Sequence, residues 1–165
     1  LPKDTKALSA HGAAHGVPMP LLDAVIATNL AQPTRMIALL EKHFPTLVER
    51  RVALLGLAFK EDTDDMRESP SIPLAQMLLE RGAQVVRYDP IARATARAAL
   101  PSSVELVESL EAAIARVDAA LLVTRWDEFR RLPELLQNRT NPPLLVDGRR
   151  FLDPATLPRY EGIGR

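Results

Sequence analysis

The 165-residue chain has no cysteine. It can therefore form no disulfide framework and offers no thiolate as a nucleophile or zinc ligand. It has no apolar run long enough to span a bilayer, and no signal-peptide pattern opens it. The sequence is accordingly read as cytoplasmic, with no membrane partner. A surplus of one charge is missing as well, because 21 Lys and Arg face 21 Asp and Glu. A nucleic-acid binder usually carries a basic excess, so none is expected as a partner. Internal repeats, low-complexity tracts and the GxGxxG phosphate loop are also absent. What is present is a 47% hydrophobic fraction, enough for a true core. The first residue is Leu1 rather than Met, and the chain is expected to be a fragment or a processed product.

Residues 1–47 contain no convincing strand. An Ala-rich stretch over residues 3–15, interrupted by Gly12 and Gly16, predicts a helix ending near His15. Over residues 21–44, Leu22, Ile26, Leu30, Ile37 and Leu40 recur at helical spacing and predict a long amphipathic helix. Pro33 should bend or break it, since proline removes a backbone donor. The apolar face of such a helix needs cover, from the domain itself or from another subunit.

From Arg51 onward the pattern alternates. RVALLGL (residues 51–57), QVVRY (84–88), a short run at 104–107, AALLVT (119–124) and LLVD (144–147) read as strands, most of them buried and parallel. Helices are expected after Ser69-Pro70, as N-cap and first helical residue, and over 91–100, 109–117 and 127–137. Residues 160–165 suggest an edge strand. This order predicts an α/β fold: a doubly wound, mostly parallel Rossmann-like sheet (residues 48–165) preceded by a helical dimerisation segment (1–47). Ligand crevices in such sheets lie beyond the carboxyl ends of the strands. The residues to examine are thus those after Leu57, Tyr88, Thr124 and Asp147.

The long charged loop GLAFKEDTDDMRES (56–69) stands where a phosphate loop would be. It offers Lys60 and Arg67, which suit phosphate or other anionic oxygens; the alternative is a solvated loop with internal ion pairs. A calcium loop is rejected, because Asp62 and Asp64 are followed by Met66 at the third ligand position and no glycine. In VDGRR (146–150), Arg149 or Arg150 could reach an anion, or Gly148 could simply supply an unusual backbone angle in a turn. His11 and His15 have metal-sharing spacing but lack the Glu of HExxH, so no metal site is expected. Trp126 and Phe129 read as packing anchors.

Taken together, LPKDTKAL, LLDAVIATN, VALLGLAFKEDTDDMRESPS, YDP, TRWDEF and VDGRRFLD, in this order, resemble the UDP-glucose/GDP-mannose dehydrogenase family. The resemblance covers nearly the whole chain. It implies an enzyme that oxidises a nucleotide sugar's 6-hydroxyl twice with NAD+, through a thiohemiacetal and a thioester on a cysteine. That cysteine immediately precedes the LPKD-like segment, and the main NAD site lies in the family's N-terminal domain; neither belongs to this sequence. The chain is therefore expected to be inactive alone. By the same resemblance Asp4 is a general acid/base, Lys3 and Arg67 lie near NAD, and Phe59, Lys60 and Arg149 contact the nucleotide sugar. The residue 21–44 helix resembles the family's homodimer helix, and UDP-glucose ranks before GDP-mannose as substrate. The alternative is a non-catalytic dimerising α/β module that binds nucleotides or a protein.

Overall fold

Two helices lead into the sheet. In the computed structural model, which describes residues 2–164, α1 spans Pro2–Ala14 and α2 spans Pro20–Glu41. Leu1 of the LPKD segment and Arg165 of the expected edge strand lie outside the described residues. Helix α2 runs through Pro33 without interruption, so the expected break does not occur. The proline ring is buried on the side facing the domain, together with Met36, Ile37 and Leu40. Packing there outweighs the single intrahelical hydrogen bond that proline cannot donate. The apolar stripe divides along its length. Its C-terminal half enters the core, while Leu22 and Ile26 are half-buried and Leu30 is 64% exposed; Leu21 and Val25, off the stripe, are 81% and 44% exposed.

The sheet has six strands in the order β3-β2-β1-β4-β5-β6. They are β1 (Arg51–Leu55), β2 (Gln84–Tyr88), β3 (Glu105–Leu106), β4 (Ala119–Leu122), β5 (Leu144–Asp147) and β6 (Tyr160–Gly162). Every pairing is parallel. The intervening helices are α3 (Ser71–Glu80), α4 (Arg93–Ala99), α5 (Leu110–Ile114) and α6 (Leu132–Gln137), with a 3-10 turn over Asp127–Arg131 leading into α6. This is the doubly wound order, and its switch point falls between β1 and β4.

The continuous apolar runs reflect a sheet covered on both faces. Val52 and Leu54 of β1, Ala119 and Leu121 of β4, and Leu144 and Val146 of β5 join α2 and α3 in one core layer. Their neighbours Ala53, Leu55, Ala120, Leu122 and Leu145 point into the other, with Ile114, Phe129 and Leu136. Ser69 does act at the start of α3. Its Oγ accepts from Ser71 N–H at 3.2 Å, while Pro70 is already helical in conformation. Helices α4, α5 and α6 are shorter than their sequence patterns suggest.

Candidate functional site

Two buried aspartates shape the carboxyl end of the sheet. Asp89 ends β2 fully buried and collects five N–H donors. Its Oδ2 accepts from Leu57 N (2.7 Å), Ala58 N (3.2 Å) and Trp126 Nε1 (3.1 Å). Its Oδ1 accepts from Ile91 N (2.9 Å) and Ala92 N (2.7 Å). The loop after β1 is pinned on its other side too. Ser69 and Ser71 hydroxyls donate to Leu57 O, and the Thr124 hydroxyl donates to Ala58 O. Gly56 makes this close approach feasible. It has φ +81°, and a Cβ there would lie 2.3 Å from Thr124 O.

Asp147 does the same for the last loop. Its carboxylate accepts from Arg149 N, Phe151 N and Leu152 N at 2.8–3.0 Å. Gly148 leaves room for close neighbours rather than supplying an unusual φ: a Cβ would lie 2.8 Å from Met36 Sδ and 3.0 Å from Leu122 O. The positive φ in this turn belongs to Arg150 instead, at 51°. Arg149 is steered back over the sheet by its Nε–H, which donates to Val123 O at 2.6 Å.

These constraints build a crevice of ≈ 230 Å³ at the switch point, lined by Phe59, Lys60, Glu61, Thr124, Arg125 and Arg149. It thus takes residues from the loops after β1, β4 and β5. Phe59 and Arg149 also border an adjoining cavity of ≈ 300 Å³ that reaches Asn29, Pro33 and Met36 of α2. Three cations and one carboxylate leave the crevice with a formal charge of about +2. Burial and the nearby Arg125 lower the Arg149 pKa, and Glu61 opposes them. Arg125 holds the Glu61 carboxyl below its usual range, chiefly by hydrogen bonding, with Arg149 contributing at longer range. Lys60 forms no hydrogen bond or ion pair among the described residues, and is open to an incoming anion.

Of the residues singled out from the sequence, Phe59, Lys60 and Arg149 come together here. Arg67 does not; its side chain is 88% exposed and closes back on Asp65 at 2.7 Å. That pair drives the Asp65 carboxyl down to about 2. Lys3 and Asp4 lie exposed on α1, outside the crevice. Helix α1 is tied to the charged loop through Lys6 and Glu68, 2.7 Å apart. The rings of His11 and His15 stack at 4.2 Å, and among the described residues no group of three ligand side chains surrounds them. Trp126 and Phe129 pack in the core, as their sequence context suggests. Sequence reasoning gave no role to Asp89, Asp147, Glu61 or Arg125, although Asp89 and Arg125 directly follow Tyr88 and Thr124, two of the strand ends it marked. The signal available for the first was an aspartate at a strand's carboxyl end followed by proline.

A dinucleotide fold turns the N–H groups after β1 toward a pyrophosphate. Here Leu57 and Ala58 already donate to Asp89. The loop therefore does not fit a dinucleotide's phosphates, in keeping with its lack of the glycine motif. The fold and site define a doubly wound α/β domain with a net positive crevice at the switch point, built without the N–H groups of a dinucleotide cradle.

Comparison with known proteins gives the family. Residues 53–154 match the UDP-glucose/GDP-mannose dehydrogenase family, UDP binding domain. A UDP-glucose 6-dehydrogenase of Haloferax volcanii is 44% identical over 98% of this chain, and one of Pseudomonas aeruginosa is 39% identical over 99%. The structure of a UDP-glucose dehydrogenase from Pyrobaculum islandicum superposes on 98% of the chain with a TM-score of 0.84 at 38% identity. A GDP-mannose dehydrogenase from Pseudomonas aeruginosa gives 0.75 at 29% identity. The chain belongs to the UDP-glucose/GDP-mannose dehydrogenase family. It spans 37% and 39% of the length of the two curated relatives and 36% of the Pyrobaculum protein.

Proposed function

We propose that this chain is the nucleotide-sugar-binding, C-terminal portion of an NAD-dependent 6-dehydrogenase that converts UDP-glucose to UDP-glucuronate, with GDP-mannose the second choice of substrate. The observation that carries this reading is the crevice itself. A site with a formal charge of about +2 complements the two negative charges of a sugar-linked nucleoside diphosphate. In this reading Lys60 neutralises a phosphate as a point charge, Arg149 forks onto its oxygens, and Phe59 packs against the ligand.

Residues 1–47 supply the end of the active-site strip and the dimer helix; residues 48–165 supply the binding domain. Asp4 manages protons as a general acid/base, while Lys3 and Arg67 reach toward NAD. NAD+ accepts the hydrides when bound, at a main site outside these 165 residues. The nucleophilic thiolate also comes from outside them, since they contain no cysteine. The chain alone consequently reduces no NAD. A homodimer forms through residues 21–44, and the enzyme works in the cytoplasm.

Steady-state kinetics of the complete enzyme test the residue assignments. Lys60→Ala and Arg149→Ala should each raise KM for UDP-glucose about tenfold or more, with a smaller effect on kcat. Unchanged kinetics in both variants would overturn them.

A further inference from the structure

The crevice contains an ion pair, Glu61–Arg125, that the family resemblance does not assign. Arg125 Nε and Nη2 both donate to Glu61 Oε1, at 2.9 and 2.6 Å. Arg125 Nη1 makes no hydrogen bond among the described residues. The pair stands at a partition. Glu61 and Arg125 line the crevice beside Lys60 and Arg149, and they also line a ≈ 400 Å³ groove running past Trp126 and Phe151.

We propose that Arg125 is a further diphosphate-binding residue, held in the empty crevice by Glu61, whose carboxylate yields its place to phosphate oxygens when the ligand enters. This rests on the reading of the crevice as a nucleoside-diphosphate site. Three features support the exchange. First, the pair is exposed, with 59% of the Arg125 side chain and 38% of the Glu61 side chain accessible. Exposed ion pairs contribute little net stability, so a more highly charged competitor can displace one partner. Second, both donors converge on a single carboxylate oxygen, whereas phosphate offers several oxygens to the planar guanidinium fork. Third, Arg125 and Arg149 line one crevice, and Arg149 feels the positive charge of Arg125. An anion between two guanidinium groups relieves that repulsion and gains from both. On the far side Asp127 also attracts Arg125, so the side chain remains compensated as it moves.

The arrangement makes Glu61 an internal competitor. Ligand binding has to break the Glu61–Arg125 contact, which weakens affinity but keeps Arg125 positioned at the crevice mouth. Neutralising Glu61 should therefore tighten binding, and should do so only while Arg125 is present to respond.

The test is a titration of the 15N-labelled chain with UDP at low ionic strength, followed by NMR and by fluorescence of Trp126, the single tryptophan adjoining Arg125. Arg125→Ala should weaken UDP binding about tenfold, and Arg125→Lys by less, since charge remains but the fork is lost. Glu61→Gln should tighten binding roughly threefold in the native background and change it by less than about 1.5-fold in the Arg125→Ala background. If Arg125→Ala binds UDP within about twofold of the native chain, while Lys60→Ala and Arg149→Ala weaken it, the Arg125 proposal falls and the crevice reading stands. Equal tightening by Glu61→Gln with and without Arg125 also overturns the proposal, because Glu61 would then act through bulk charge alone. If UDP fails to bind the native chain, or binds without regard to Lys60 and Arg149, both readings fall.

Discussion

Asp89 places one carboxylate where five N–H groups from three loops converge, and its burial makes each bond count. An asparagine of the same shape would turn an NH₂ group toward donors that need an acceptor. Asp89→Asn should lower stability by roughly 2–4 kcal/mol in urea denaturation, because the loss combines weaker hydrogen bonds with stranded buried donors. A change below about 1 kcal/mol would show that the loops are held elsewhere. Lys60 and Arg149 were legible from the sequence because strand ends announce themselves, and crevice residues follow strand ends. Asp89 and Arg125 also follow strand ends, but the sequence did not disclose what they pair with, and Glu61 stood unmarked in the charged loop. Apart from Ile91 and Ala92, which neighbour Asp89, their partners lie 31 to 64 residues away, as with Ala58 for Asp89 and Glu61 for Arg125, so only folding makes those pairings visible. The charged loop shows both outcomes side by side. Arg67 folds back on Asp65, while Lys60 stays open.

Helix α2 is the element whose two halves do different work. Met36, Ile37 and Leu40 anchor it in the core, whereas Leu21, Val25 and Leu30 present apolar surface to solvent. Leu21 and Val25, four residues apart, share one exposed face, and such surface is a feature of subunit interfaces. Replacing both Leu21 and Val25 by Asp should shift the chain toward monomer in sedimentation velocity. A native chain that sediments as monomer at high concentration would contradict the dimer reading. The sequence revealed this helix through its 3.6-residue spacing, yet could not say which half the domain covers. Pro33 was misleading as a breaker because tertiary packing against the domain overrides local propensity. Strands were easier to read, since a sheet covered on both faces demands unbroken apolar runs. The helices α4 to α6 were harder, being one or two turns long and ending in 3-10 or irregular backbone where pattern is weak.

At the scale of the molecule, the strand order of a dinucleotide fold is kept while its phosphate grip is closed by an internal carboxylate. The cationic crevice is instead built by Lys60 from farther along the β1 loop together with Arg125 and Arg149 from the β4 and β5 loops. The two sides can be distinguished in one measurement, an amide-shift map of the 15N-labelled chain titrated with UDP-glucose. The account predicts perturbations centred on residues 59–61, 124–125 and 148–149, with residues 89–92 little changed. Perturbations centred on residues 56–58 and 89–92, or none at all, would contradict it.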